Sequence, residues 1–427
     1  MWDDLALLKA RGELVLITRH NGACYVEGAY GYVGFEYDLV AAFARELGIP
    51  LRVRLMETET EMVDAIKSGK GDILAAGIPF GSRYAGMLAM GPGYLEVSSQ
   101  VVGHRGNGIA IETEKDLSAY TLWMTDSSAR IDDLETLRSR ISEINWQVPA
   151  AHNDAALLRM VSSRALPIAV VDSSLFLMTR YNYPELKVLL DVAPPRQLAW
   201  GISPRNKRLK KIIDDWFERD DVKSLILNLK NHYLHHLQFF DYVDLMRYKR
   251  RIKDRLPIYR PLFEAAGMTH GLDWRLLAAQ AYQESHWNPR AISYTGVRGM
   301  MMLTRETAGD MGLYNRLDAK GSIMAGARYL ALLYDQIGSD VPEPDRTFMA
   351  LSAYNMGPGH LQDARVLARR MGKSPNEWEA VRSVLPLLQE KKYYETLEYR
   401  FARGQEAVSF VDRIRIYYQM LCLSPAS

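Results

Sequence analysis

Apolar and polar positions change rhythm once along this chain. In the first half, short apolar runs bordered by turn residues alternate with helical spacings. Leu14-Val15-Leu16-Ile17, the alternating Leu51-Arg52-Val53-Arg54-Leu55 and Ile73-Leu74-Ala75-Ala76 read as strands. Residues 34–47 and 61–68 read as helices between them. This β-α-β-α-β order predicts a parallel sheet flanked by helices. A second sheet is expected from residues 120–124 and 168–173. The first resumes at 200–203 and finishes with helices from 206 to about 233. Crossings near 104–108 and 193–196 would form a hinge between two lobes. From Leu256 the pattern is nearly all helix, with segments expected at 260–267, 273–285, 304–312, 322–337, 346–354, 361–371, 380–392 and 406–423. The predicted organisation is a two-lobed α/β module over 1–237 (lobe 1 about 1–103 and 196–237, lobe 2 about 104–195). A basic, aromatic linker over 238–255 and an all-α domain over 256–427 follow.

One helix carries candidate chemistry. Asp273 is a plausible N-cap, and Trp274, Leu277 and Ala281 then recur at helical spacing. The stripe ends on Glu284. Desolvation at such a place raises a carboxyl's pKa and keeps it protonated near neutral pH. That is the state of a general acid able to protonate a glycosidic oxygen. The rival reading is a helix-terminal glutamate facing water. Ordinary glycosidases use two carboxylates, and no second acid stands at motif-like spacing; Asp310 and Asp318 read as surface groups.

The surroundings of Glu284 carry a resemblance. Glu284-Ser285, then Ala291-Ile292-Ser293, then Gly299-Met300-Met301-Met302-Leu303-Thr304, then Ala353-Tyr354-Asn355-Met356-Gly357-Pro358-Gly359 follow in order. This half resembles the lytic transglycosylases with a goose-type-lysozyme-like domain. Met302 stands where most of them carry Gln, which is what the membrane-bound lytic transglycosylase F branch looks like. The resemblance implies a fold and a reaction. The fold is an all-α lysozyme-like domain. In the reaction, the C6 hydroxyl of N-acetylmuramic acid attacks its own C1, giving a 1,6-anhydro sugar without water. Glu284 would be acid and then base. Ser293 would bond the substrate, Tyr354 would support the acid and the scissile sugar, and Asn355 would order the Gly-Pro-Gly turn. Met302 would form a soft apolar wall. Glu406 and the 410–418 segment resemble the family's last motif, with Phe410 for its Tyr and Tyr418 matching its final Tyr. Ser293 also reads as a loop-capping serine, and Met302 as a core methionine.

The first half resembles the type 2 periplasmic solute-binding proteins of amino-acid-binding family 3, through Gly34-Phe35-Glu36-Tyr37-Asp38-Leu39, residues 69–78 and Gly81-Ser82-Arg83. The implied fold is the α/β two-lobed periplasmic-binding-protein type II module. Arg83 matches the family arginine that holds a ligand carboxylate, and Asp172 the aspartate that holds its ammonium. A guanidinium takes a carboxylate bidentately, so a zwitterion could bridge and close the lobes. Arg83 also reads as a solvated loop residue, and Asp172 as a helix N-cap. The expected partners are peptidoglycan strands and a muropeptide or amino-acid-like effector.

Composition narrows the class. The 427 residues are 48% hydrophobic and 24% charged, as in soluble globular proteins, and hold no apolar run of membrane-spanning length. Residues 1–4 lack the basic and apolar regions of a signal peptide. The resemblance nonetheless implies a periplasmic protein peripheral to the outer membrane. Residues 241–427 carry 26 Lys+Arg against 21 Asp+Glu, and residues 1–240 carry 27 against 30. That mild basic excess suits a polyanionic wall polymer; no basic cluster accompanies a nucleic-acid motif. His232, His235 and His236 lack the further ligands of a metal site, so no metal or cofactor is expected. Cys24 and Cys422 have no spacing that supports a disulfide. Three functions follow: a lytic transglycosylase with an amino-terminal sensor, a receptor anchored to glycan by an inactive helical domain, and a lysozyme-type hydrolase.

Overall fold

The computed structural model describes residues 11–28, 31–77, 79, 82–149, 153–234, 242–294 and 296–422. Residues 1–4, His235, His236, the linker positions 238–241 and the quoted Ile78 and Gly81 lie outside them. The chain splits into two compact units, Met1–Tyr242 and Val243–Ser427.

The first unit opens with β1 (Leu14–Thr18), the short pair β2 (Val26–Gly28) and β3 (Gly31–Val33), α1 (Phe35–Leu47), β4 (Leu51–Leu55), α2 (Glu59–Lys67), β5 (Ile73–Leu74) and β6 (Ala89–Met90). It continues with β7 (Leu95–Val97), β8 (Ser99–His104), β9 (Thr121–Trp123), α3 (Ser128–Arg140), β10 (Asn145–Gln147), α4 (Asp154–Ser162), β11 (Ile168–Asp172) and α5 (Ser173–Thr179). β12 (Leu186–Asp191), β13 (Arg196–Leu198), β14 (Gly201–Ile202), α6 (Lys207–Glu218) and α7 (Asp220–Tyr233) complete it. The lobe 1 sheet runs β4-β1-β5-β14-β6 and the lobe 2 sheet β10-β9-β11-β8-β12. β1 is parallel to β4 and β5, as the alternation predicts. Its burial on every residue explains why it reads as an unbroken apolar run. α2 starts on a complete Thr58–Glu61 capping box.

The hinge differs from expectation. The lobes are joined by the antiparallel pair β7–β13, and β8 already belongs to the second sheet, between β11 and β12. Lobe 2 therefore begins near Ser99, and the 104–108 segment follows a strand of lobe 2. The turn-forming His104-Arg105-Gly106-Asn107-Gly108 is a 3-10 turn capped by the His104 ring, with the punctuation of a crossing but not its place.

The second unit holds α8 (Tyr242–Asp254), α9 (Leu256–His270), α10 (Trp274–Ser285), α11 (Arg305–Asp310), α12 (Ala319–Ile337), α13 (Asp345–Met356), α14 (Pro358–Arg370), α15 (Trp378–Val384), α16 (Lys391–Tyr394) and α17 (Gly404–Cys422). α10 lies at the centre, packed on α9 and α17. Leu276 through Tyr282 are all buried, the mark of a helix enclosed on every side.

Two expectations need correcting here. The 238–255 segment, expected as a linker with helical parts, is the helix α8 over nearly all its described residues and packs within this unit. Leu245, Tyr248 and Ile252 are buried, and the Tyr248 hydroxyl donates to the Tyr417 carbonyl at 2.9 Å. The single helix expected at 380–392 breaks into α15, a 3-10 turn at Leu385–Gln389 and α16, because Pro386 has no amide hydrogen to continue the ladder. Both cysteines are free thiols.

Candidate active site

α10 is capped at its start by Asp273, whose carboxylate accepts from the Arg275 amide at 2.9 Å. It ends where His286 enters the left-handed region, with φ 54°. Trp287 follows at φ 55°. Two successive non-glycine residues there store strain on the order of 1–3 kcal/mol each. The turn is held by its neighbours: the Trp287 indole donates to the Ala278 carbonyl at 2.8 Å, and the Ser285 hydroxyl to the Met300 carbonyl at 2.8 Å. Glu284 thus sits on a helix end held by the bonds of Ser285, His286 and Trp287.

Burial alone pushes the Glu284 carboxyl up to about 8. Among the described residues no cation, second carboxylate or hydrogen bond adds to that shift, yet Glu284 keeps some accessible surface. A protonated acid that a substrate can reach is the arrangement the apolar stripe anticipates.

The 291–303 segment folds over Ser285 as a small irregular hairpin. Ile292 bridges Arg298, and Arg298 bridges Leu303. Ser293 sits in the turn: its amide donates to the Val297 carbonyl at 3.0 Å and its hydroxyl accepts from the Val297 amide at 3.2 Å. Both readings of Ser293 therefore stay compatible with its place. The Arg316 guanidinium ties the two sides by donating to the carbonyls of Gly296 and Leu303. Gly299 takes φ 91°, and a Cβ there would lie 1.9 Å from the Arg316 carbonyl oxygen, so only glycine fits. Met302 is half-buried at the corner with φ 45°.

Tyr354, on the last turn of α13, donates to the Met301 carbonyl at 3.0 Å. It is close enough to Glu284 for that carboxylate to raise its pKa, after burial, and its ring lies against Tyr329 at 5.1 Å. Glu284, Tyr354 and the Met301–Met302 corner are thus brought together, with the Ser293 turn on the same hairpin. Asn355 is exposed, and its side chain makes no hydrogen bond to the Gly-Pro-Gly turn among the described residues. Instead the turn is closed by Tyr399, whose ring packs where a Cβ on Gly359 would be, and whose amide donates to Asp363. Glu406 is exposed at the start of α17, 3.4 Å from Arg403.

Tyr418 is not part of this group. Its hydroxyl donates to Asp273 at 2.7 Å, at the opposite end of α10 from Glu284. Eleven residues at 1.5 Å each put about 16 Å between those ends. Matching the motif's last tyrosine does not reveal that α17 runs back along α10. Arg316 and Tyr399 lie outside the quoted motifs; Gly299 and Gly359, which pack against them, are the signal that could have found them.

In the first unit two bridges between the lobes stand near the candidate clamps. The Ser128 amide of lobe 2 donates to Glu59 of lobe 1 at 2.9 Å. Arg83 pairs with Asp126 at 3.0 Å on the exposed rim. Asp172 is 1% exposed and lies 3.7 Å from Arg130. Burial raises its pKa, against the pull of Arg130. Arg130 itself grips Asp154 at 2.8 and 3.0 Å and donates to the Val170 carbonyl. The structure does not set Arg83 and Asp172 out as two open clamps: one is engaged at the rim, the other has an internal arginine beside it. Arg19, Arg130 and Asp154 went unremarked in the sequence, although an arginine directly after a parallel strand was a usable signal.

Among the described residues no group of three or more His, Cys, Asp or Glu is placed to hold a metal ion, and no helix is long and apolar enough to cross a membrane.

The family described as Transglycosylase SLT domain matches residues 261–377, and Bacterial extracellular solute-binding proteins, family 3, matches 18–236. The chain is 36% identical to Membrane-bound lytic murein transglycosylase F of Ectopseudomonas mendocina, across 98% of this chain and 86% of that one. It is 38% identical to Membrane-bound lytic murein transglycosylase F 2 of Alkalilimnicola ehrlichii, across 96% of this chain and 91% of that one. Among solved structures, the first unit is similar to the ancestral amino acid-binding protein AncCDT-1 (TM-score 0.48, 18% identity, 54% of this chain and 100% of that one). It is also similar to holo ArgBP from T. maritima (TM-score 0.43, 19% identity, 53% and 93%). The chain belongs to the membrane-bound lytic murein transglycosylase F family, a solute-binding domain fused to a peptidoglycan-cleaving lyase domain.

Proposed function

We propose that the chain cleaves the MurNAc–GlcNAc β-1,4 bond of peptidoglycan without consuming water, leaving 1,6-anhydro-MurNAc ends. The observation that carries this reading is the solitude of Glu284: one half-buried acid, raised to about 8 by burial, with no second carboxylate acting on it among the described residues. A hydrolase of the usual kind needs a partner carboxylate for water or for a covalent intermediate. A lone acid suffices when the attacking hydroxyl belongs to the substrate, because intramolecular attack needs orientation more than activation. Glu284 gives its proton to the leaving oxygen and then takes the C6 hydroxyl proton. Tyr354 has committed its own proton to Met301, so its oxygen is an acceptor toward the acid. Ser293 and Met302 bound the sugar on the hairpin side. Glu406 lies on the rim near the exposed Tyr294, through their shared partner Arg403. Asn355, exposed near the end of α13, is read as a further contact to the glycan.

Mass analysis of digested sacculi tests this. Anhydro ends, lighter by one water than reducing ends, are expected; reducing ends would identify a hydrolase. Glu284→Gln should bind glycan and leave it intact, and continued cleavage would remove the assignment.

The first unit is read as a sensor for a muropeptide or amino-acid-like effector, whose binding between the lobes changes glycan turnover. The buried charges of both lobes support it. Unchanged turnover at saturating soluble muropeptide would refute it. We infer a periplasmic location peripheral to the outer membrane, a reading supported by relatives named membrane-bound.

A further inference from the structure

Where the two lobes face each other, buried polar atoms gather that have no hydrogen-bond partner among the described residues. Arg19 Nε and Glu59 Oε1 come from lobe 1; Ser127 Oγ, Arg130 Nε and Asp172 Oδ2 come from lobe 2. Native interiors pair nearly all such atoms, so five converging from both lobes mark a site shaped for a guest. They stand at the carboxyl ends of strands β1, β9 and β11 or on the helices that follow strands, where open α/β sheets take their ligands. Guanidinium and hydroxyl donors lie with two carboxylate acceptors, the complement of a molecule carrying both a carboxylate and an N–H group.

The two candidate clamps differ in how they are engaged. Arg83 is 40% exposed at its side chain, and its terminal nitrogen is held by both oxygens of Asp126 across the lobe boundary. A ligand carboxylate there would compete with a resident carboxylate and with water. Arg130 has both terminal nitrogens on Asp154 and needs no further anion. Arg19 has no carboxylate hydrogen-bonded to it among the described residues: its Nη2 reaches the Gly77 carbonyl at 3.4 Å and the buried Cys24 thiol lies against it, while Asp154, Asp172 and Glu36 act on it at longer range. A guanidinium taken out of water without a bonded anion is costly. An incoming carboxylate removes that cost.

We propose that Arg19, rather than Arg83, holds the carboxylate of the cleft ligand, and that Arg83 with Asp126 is a latch between the lobes. This rests on the reading that the first unit binds an amino-acid-like ligand. Asp172 Oδ2 and Glu59 Oε1 then accept from the ligand's N–H groups, and Arg130 holds Asp172 in place.

The test is calorimetric titration of the full chain with L-alanine, L-leucine, L-glutamate, L-arginine and D-alanyl-D-alanine, and with the carboxamide of whichever binds tightest. Wild type should bind the acid about 100-fold more tightly than its amide, as loss of a charge-assisted pair predicts. Arg19→Gln should weaken the acid by about 100-fold and abolish the acid–amide difference. Arg19→Lys, which keeps the charge in case the glutamine variant misfolds, should narrow that difference by about tenfold. Arg83→Gln should keep the acid–amide difference and enlarge the ligand-free protein in small-angle scattering. Loss of acid selectivity in Arg83→Gln with its retention in the Arg19 variants overturns the proposal. If wild type binds no member of the panel, the sensor reading itself fails and takes the proposal with it.

Discussion

The hydroxyl of Tyr354 donates to the backbone carbonyl of Met301 at 3.0 Å, so one tyrosine ties α13 to the corner that bears Met302. That corner is strained at φ 45° and needs an external tether. Tyr354→Phe removes the tether and the acceptor facing the acid. Turnover of sacculi should fall about 10- to 100-fold, with a stability loss of about 1 kcal/mol in thermal melts. An unaltered rate would separate Tyr354 from the chemistry.

Glu284 sets the pH dependence. Its carboxyl, raised from 4.5 to about 8, must be protonated to act first as an acid. kcat/KM should therefore fall about tenfold per pH unit above about 8. A limb near pH 4–5 would mean an ordinary, solvated carboxylate.

The same shift acts on stability. Between pH 4.5 and 8 the folded state holds a proton that the unfolded state has released, so unfolding free energy drops as pH rises through that window. Glu284→Gln carries no such charge. Its unfolding free energy should exceed that of wild type at pH 8, by an amount on the order of 1–3 kcal/mol, and match it near pH 4. A gap that grows toward acid pH would reverse the assigned sign.

Tyr418 gives a contrasting expectation. Tyr418→Phe removes the bond to the α10 N-cap Asp273 and should cost about 1 kcal/mol in melts, with turnover at saturating glycan unchanged. A rate loss comparable to that of the Tyr354 variant would return Tyr418 to the site.

Gly299→Ala tests the hairpin. A methyl 1.9 Å from the Arg316 carbonyl oxygen, on a backbone at φ 91°, should destabilise by about 3 kcal/mol or more. Full expression and an unshifted melting curve would show that the loop can move aside.

Glu284 and its helix were legible because local signals agreed: a cap at Asp273, apolar positions at helical spacing and a motif in order. What depends on distant pairing was not. Nothing local to Tyr418 says which end of α10 it meets. The basic residues of α8 masked the spacing of Leu245, Tyr248 and Ile252, so a packed helix read as a linker. Val101 and Val102, fully buried in β8, looked like the end of lobe 1 because a strand's sheet is chosen by its partners rather than its own residues. The pairing of Arg130 with Asp154 joins two helices 24 residues apart and leaves no periodic trace.

The strand order of lobe 1 has a consequence for synthesis. β14, which separates β5 from β6, is made only at residues 201–202, after every strand of the lobe 2 sheet. On the ribosome the lobe inserted in the middle is the first whose sheet is whole, while β6 waits without a neighbour for more than a hundred residues. A nascent chain of which the first 195 or so residues have emerged from the ribosome should therefore protect residues 99–191 from protease and leave 11–90 open to it.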